Sequence, residues 1–352
     1  MKFHLSPEQE ALQDTVLKTA LRACPPERRR GLLEAESDFD QPTWTALMEA
    51  GLGGLLMAEE HGGAGLGLEE AALAFEALGQ AATPGAYMGQ VLCGWAVSQC
   101  DDAALKTRWA SRLAAGEAVA ALALDGGAAD DWKLEARNGR LSGAVRFVPG
   151  ADRADVFVVG VRGRIALVEK GAGVEVAGVD GSDLTRRLWT VTFTDVPAVM
   201  IGDGNVGRRL ADAALVLLAA GALGGAEQCL TMAVEYAKQR EQFGVVIGQF
   251  QALKHQLANM ALEVEPARAL VWYAAYAWDL DLPDSARVAA HAKAHLADRF
   301  VSVARMAVQA HGGIGYTWDY DLQIWFRRSL YDRAFLGAPS LHRERVAAMA
   351  GW

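Results

Sequence analysis

The chain is predicted to be an α+β protein in three parts: an N-terminal helical domain, a middle antiparallel β-domain and a C-terminal four-helix bundle. Three observations predict this. Helical periodicity with a clear start signal dominates residues 1 to about 116. Short alternating runs separated by turn dipeptides fill about 119 to 196. The helical period returns from about 207 in long stretches that break at Gly244, Pro283 and Gly312-Gly313. The boundaries these shifts imply are 1–116, 117–206 and 207–352.

The first helix is announced by Ser6-Pro7-Glu8-Gln9, a capping hydroxyl with proline at the first helical position and glutamine three residues after the cap. Apolar residues then recur through Leu12, Val16 and Leu17. A second helix is predicted through Trp44, Leu47 and Met48, ending near Gly51. The glycines of the 59–67 stretch break the helical pattern, and a third helix follows over 68–78. Strands are predicted at 133–137, 140–143, 156–159 and 189–193, with turns at Asn138-Gly139 and Asp180-Gly181. The final helices are predicted near 208–240, 248–279, 284–310 and 319–334. The uncharged run from Ala213 to Ala226 has no polar face to give to water, so that helix is expected to be buried on nearly all sides.

With 34 basic against 43 acidic residues the net charge is −9, which argues against nucleic-acid binding because a phosphate backbone needs a basic surface. Cys24, Cys93, Cys100 and Cys229 are scattered without a Cys-x-x-Cys spacing, so neither a metal site nor a disulfide framework is indicated. The apolar run of 213–226 is shorter than the roughly 20 residues a bilayer needs, so no membrane association is expected. Residues 1–6 lack the apolar core of a secretory leader. The expected location is cytoplasmic.

Two segments carry the functional reading: Arg240-Glu241-Gln242-Phe243-Gly244 and, seventy residues on, Gln309-Ala310-His311-Gly312-Gly313-Ile314-Gly315-Tyr316-Thr317. Taken singly, Arg240 reads equally as a helix-capping cation and Gly312-Gly313 as a plain helix stop. A dinucleotide fingerprint at Gly313-x-Gly315 is disfavoured because no strand precedes it. Further landmarks are Leu5-Ser6-Pro7-Glu8-Gln9, Glu59-Glu60-His61-Gly62-Gly63-Ala64-Gly65-Leu66-Gly67 and Leu113-Ala114-Ala115-Gly116-Glu117. In this order, over nearly the whole chain, these segments resemble the acyl-CoA dehydrogenase family. The resemblance implies an FAD held partly across a subunit interface, and an acyl-CoA substrate. Arg240, Gln242, Phe243, Gln309, Gly312 and Gly313 are then the cofactor-binding candidates. A guanidinium fork suits a pyrophosphate, glycines let the main chain approach it, and Phe243 offers a flat face to the adenine side.

The chain departs from the family where the family does its chemistry. Leu336, in Phe335-Leu336-Gly337-Ala338, stands where the family places its catalytic glutamate, and Ala214-Leu215 stands at the alternative base position. Asp332, one helical turn before Leu336, is a candidate displaced base, weighed against a surface carboxylate between Arg328 and Arg333. Ala129, Val148 and Ala338 stand where the family has flavin-bonding hydroxyls. The resemblance therefore points to a subunit of the bacterial heterotetrameric type, with no catalytic residue of its own, completing the flavin site of a related partner. Alternatives are a homotetrameric enzyme with a relocated base, a flavin-free scaffold and a flavin monooxygenase on the same fold.

Overall fold

The computed structural model describes residues 4–352, so Met1–Phe3 of the N-terminal stretch read above lie outside the described residues. The N-terminal part is built from α1 (Pro7–Ala23), α2 (Pro26–Glu34), α3 (Gln41–Glu49), α4 (Leu68–Gln80), α5 (Tyr87–Ser98) and α6 (Ala103–Ala114). The capping box forms as the sequence requires: Ser6 Oγ accepts from the Gln9 N–H at 3.2 Å, and Gln9 Oε1 accepts from the Ser6 N–H at 3.0 Å. α2, α5 and α6 have no counterpart among the sequence expectations. α5 is apolar nearly all round, so it carries no amphipathic period to read.

Two four-stranded sheets follow. One is ordered β1-β4-β5-β8, from β1 (Ala120–Ala123), β4 (Val156–Val161), β5 (Arg164–Glu169) and β8 (Val199–Ile201). The other is ordered β2-β3-β7-β6, from β2 (Ala136–Arg137), β3 (Arg140–Pro149), β7 (Leu188–Pro197) and β6 (Val174–Val179). The β2–β3 hairpin turns at Asn138 and Gly139, both left-handed as an Asn-Gly turn demands. The expectation of a purely antiparallel domain is corrected at one point: β1 pairs with β4 in parallel, Ala120 opposite Val156. The paired residues lie 36 positions apart in sequence, so no hairpin signal exists for them. Between the sheets Phe157 meets Phe193 edge-on at 6.0 Å, with Leu141, Val145, Val159 and Val191 around them.

The C-terminal part holds α7 (Gly204–Gln239), a short hairpin of β9 (Glu241–Gln242) and β10 (Val245–Val246), α8 (Gln251–Asp279), α9 (Ser285–His311), α10 (Leu322–Ala334) and α11 (Pro339–Met349). α11 adds a fifth helix to the expected four. It begins at Pro339, which is compatible with a first helical turn. α7 runs through the centre of the molecule, and every residue from Ala213 to Ala226 is buried except the partly exposed Gly221. By length and hydropathy α7 could cross a membrane, but 78% of its most apolar window is buried in protein. α4 packs on α7 at backbone distance. A Cβ on Gly224 would lie 1.9 Å from the Glu76 carbonyl oxygen, and one on Gly79 would lie 2.1 Å from that of Gly221. Glycine is required at this crossing for space, not for an unusual φ.

Candidate active site and cofactor surface

The two motif segments meet at one end of the C-terminal bundle. Tyr236, one turn before Arg240 on α7, stacks on His311 at the end of α9, with ring centroids 4.4 Å apart. Tyr320 closes the cluster 4.8 Å from His311, and its hydroxyl lies 3.2 Å from His311 Nε2. Burial holds the His311 imidazole below its usual range, favouring the neutral ring. This aromatic clamp fixes the spacing of the segments. Tyr236 was missed in the sequence, although its place four residues before Arg240 sets it on the same helix face.

Arg240 caps α7 and is exposed, with no ion pair among the described residues. The β9–β10 hairpin turns through Phe243 (φ +55°) and Gly244 (φ +80°), which drives the Phe243 ring into solvent, 94% exposed. Gln242, Gln309, Gly312 and Gly313 are also exposed, and the space beside both glycines is open. Gly312, at φ +66°, needs glycine. An unpaired guanidinium, open main chain and a projecting aromatic on one surface suit an anionic, aromatic ligand.

The second region lies between the sheets and the helices. α10 ends at Ala334 with Phe335 as its cap, and the chain then turns through Leu336 at φ +54° and Gly337 at φ +104°. Leu336 is buried, and its carbonyl accepts from His342 Nε2 at 2.9 Å. Burial pushes His342 down to about 4, so the neutral ring is the donor at pH 7. The loop at Gly127 packs directly on this turn: a Cβ on Gly127 would be 2.0 Å from the Leu336 oxygen, and the Gly127 carbonyl accepts from Arg345 at 3.1 Å. Ala129 and Val148 are buried, while Ala338 is exposed. Ala214 and Leu215 are fully buried within α7.

Asp332 is not the surface carboxylate that its arginine neighbours in sequence suggest. It is 2% exposed, and its carboxylate faces Arg186, with Oδ1 2.7 Å from Nη1 in an ion pair too poorly aligned for a hydrogen bond. Arg186 also donates to Asp183 at 2.8 Å and lays its guanidinium 4.1 Å over the Tyr331 ring. Lys293, buried, bonds the backbone carbonyl of Asp332, and burial lowers it to about 8. Burial, then the nearby Arg186 charge, pushes Arg328 down to about 10. Arg186 comes from the β-domain, 146 residues before Asp332, which is why no local pattern revealed the pair. Glu227 and Glu263 form ion pairs with Arg268 and Arg299.

Asp332, Tyr331, Arg186 and Arg328 are among the residues that line a narrow cleft, partly open to solvent. Its other walls are apolar, with Phe75, Leu78, Leu122, Leu217, Leu218 and Phe335 among them. A chain with this three-part fold, an apolar cleft against its central helix and an open anion-suited surface at the bundle end is built like a flavin-dependent acyl-thioester oxidoreductase.

Comparison with known proteins agrees. The family description "Acyl-CoA dehydrogenase, N-terminal domain" matches residues 6–117, and "Acyl-CoA dehydrogenase, C-terminal domain" matches residues 209–351. The sequence is 32% identical to the acyl-CoA dehydrogenase IpdE2 of Mycobacterium tuberculosis over 336 residues, 94% of this chain and 94% of that one. Among solved structures, the ChsE4-ChsE5 complex from the same organism matches with a TM-score of 0.90 at 27% identity, over 100% of this chain and 99% of the other. Butyryl-CoA dehydrogenase from Megasphaera elsdenii matches with a TM-score of 0.88 at 25% identity over 100% of both chains. The chain belongs to the acyl-CoA dehydrogenase family of oxidoreductases.

Proposed function

We propose that this chain is a subunit of an FAD-dependent acyl-CoA dehydrogenase that lends Arg240, Gln242, Phe243, Gln309, Gly312 and Gly313 to the flavin site of a related, catalytically complete subunit. The observation that carries this reading is the contrast between the two halves. The bundle-end surface is open, cationic at Arg240 and glycine-lined. The opposite half has Leu336 at the base position and buried Ala129 and Val148 in place of hydroxyls. Bound flavin would supply the hydride acceptor. This chain's own residues would hold its pyrophosphate with a guanidinium and backbone amides, and cover the adenine side with Phe243. That one solved structural match is itself a complex of two named chains agrees with an unlike pair.

Flavin absorbance per protomer tests the reading. The chain alone is expected to bind FAD poorly, and co-expression with a related complete subunit is expected to restore about one flavin per unlike pair. Full occupancy in the isolated chain would favour a homotetramer. The burial of Asp332 against the cleft gives that second reading its own footing, with Asp332 as the relocated base.

A further inference from the structure

The glycine segment at the bundle end is anchored on both sides, and the second anchor reaches into the N-terminal part of the fold. The first is His311, which precedes Gly312 and is stacked on Tyr236. The second is Asp321, at the N-terminus of α10. An aspartate there ordinarily caps its own helix, but the Asp321 side chain makes no capping hydrogen bond. Both of its carboxylate oxygens go to α2 instead. Oδ1 accepts from Arg30 Nε at 2.6 Å, and Oδ2 accepts from Arg29 Nη2 at 3.1 Å. Arg29 is buried; it also donates to the Ala81 carbonyl at the end of α4, at 2.9 Å, and lies 5.1 Å over the Trp325 ring of α10. Arg30 and Asp321 are 291 positions apart in sequence, so no local pattern announces the pair.

Between the anchors the chain has little stiffness of its own. Gly312, Gly313 and Gly315 fall within four residues, and open space surrounds the first two. Glycine loses more backbone freedom than any other residue when it is fixed. A loop of this composition binds tightly only if its shape is set before the ligand arrives, and here that shape is set from the ends. Tyr320 links the two anchors: its hydroxyl meets His311 Nε2, and its chain neighbour is Asp321. We propose that Arg29 and Arg30 are positioning residues for the cofactor surface: by holding Asp321 they pre-form the loop 312–319 in the shape that flavin meets. The inference rests on the reading that Gly312 and Gly313 face flavin. It gives α2, a short polar helix that buries Arg29 and Leu33, a part in cofactor affinity.

The test uses the full chain, alone and in its co-expressed complex. The Arg30 side chain is 51% exposed, and Asp321 is its one ion-pair partner among the described residues, so Arg30→Ala is expected to leave the chain folded. In the isolated chain, hydrogen exchange of the Thr317 and Ile324 amides, which bond the Ile314 and Asp321 carbonyls, is expected to quicken about twofold to fivefold, the range of a partly exposed ion pair. The amides of α7 should keep their protection. In the complex the FAD dissociation constant is expected to rise by the same factor, with turnover at saturating FAD unchanged. Arg30→Lys, which keeps the charge, should recover most of both, and Asp321→Asn, which weakens both contacts, should exceed Arg30→Ala. Unchanged exchange in Arg30→Ala would overturn the proposal. Unchanged FAD affinity would also overturn it where Arg240→Ala still strips flavin, and the functional reading would then stand. If neither substitution alters flavin binding, that reading falls and the proposal falls with it.

Discussion

Arg186 pairs with both Asp332 and Asp183 and sits over the Tyr331 ring. A carboxylate committed in this way is a structural element of the cleft. On the proposed reading, Asp332→Asn in a flavin-saturated complex keeps the turnover rate within about tenfold, since loss of a general base costs on the order of 10²-fold or more. The same substitution should lower the melting temperature, because a buried guanidinium loses part of its compensation. A hundredfold rate loss with flavin retained would make Asp332 the base. Asp38 offers a pH measurement at the same scale. It is buried, and its Oδ2 accepts from the Arg187 N–H at 2.8 Å. Burial, partly offset by that hydrogen bond, raises it from 3.8 to about 7. As pH rises from 4 to 7 the unfolded chain ionises first while the folded chain keeps its proton, so folding loses stability across that window. Asp38→Asn keeps an oxygen for the Arg187 amide and cannot ionise. Its stability relative to the unaltered chain is expected to rise between pH 4 and pH 8, by on the order of a few kcal/mol at most. Denaturant titrations at several pH values check this, and a flat difference refutes it.

Among the elements, α4 and α7 show what a glycine can mean inside a helix. Alanine is ordinarily worth about 1 kcal/mol more than glycine there. At Gly224 the sign should reverse, because the new methyl would strike the Glu76 carbonyl of α4. Gly224→Ala is expected to destabilise by about 1–3 kcal/mol through overpacking, read as a lower denaturation midpoint. Gly313→Ala, with open space around it, should be mild in the isolated chain. The uncharged run of α7 made its burial legible in the sequence, but nothing in that run says which of Gly221, Gly224 and Gly225 touches which neighbour. Elements with an amphipathic period or a cap, such as α1 and α4, were equally legible. α5 has no polar face, and β1 finds its parallel partner from a distance, so neither leaves a local trace. The motif glycines and Arg240 could be picked out by type, whereas their convergence depends on the stacking of Tyr236 on His311. The ion pair of Asp332 depends on a strand-linked arginine from another layer of the fold.

At the scale of the whole molecule, the bundle end and the cleft are separate sites on one chain, and they should respond to separate changes. Replacing Arg240 with alanine is expected to strip flavin from the co-expressed complex, since a hydrogen bond to a charged group contributes roughly 1.5–3 kcal/mol. Flavin content after gel filtration measures this, and retention of full flavin would remove Arg240 from the cofactor surface.

The projecting hairpin has a further consequence in the biology of synthesis. Phe243 is 94%, Tyr316 78% and Trp318 60% exposed in the lone chain. Aromatic surface of this kind is what chaperones retain and proteases sample until something covers it. On the proposed reading, a chain that presents it before an unlike subunit arrives is an orphan in the cell's quality control. Its abundance would then follow the supply of its partner more closely than the number of its own transcripts.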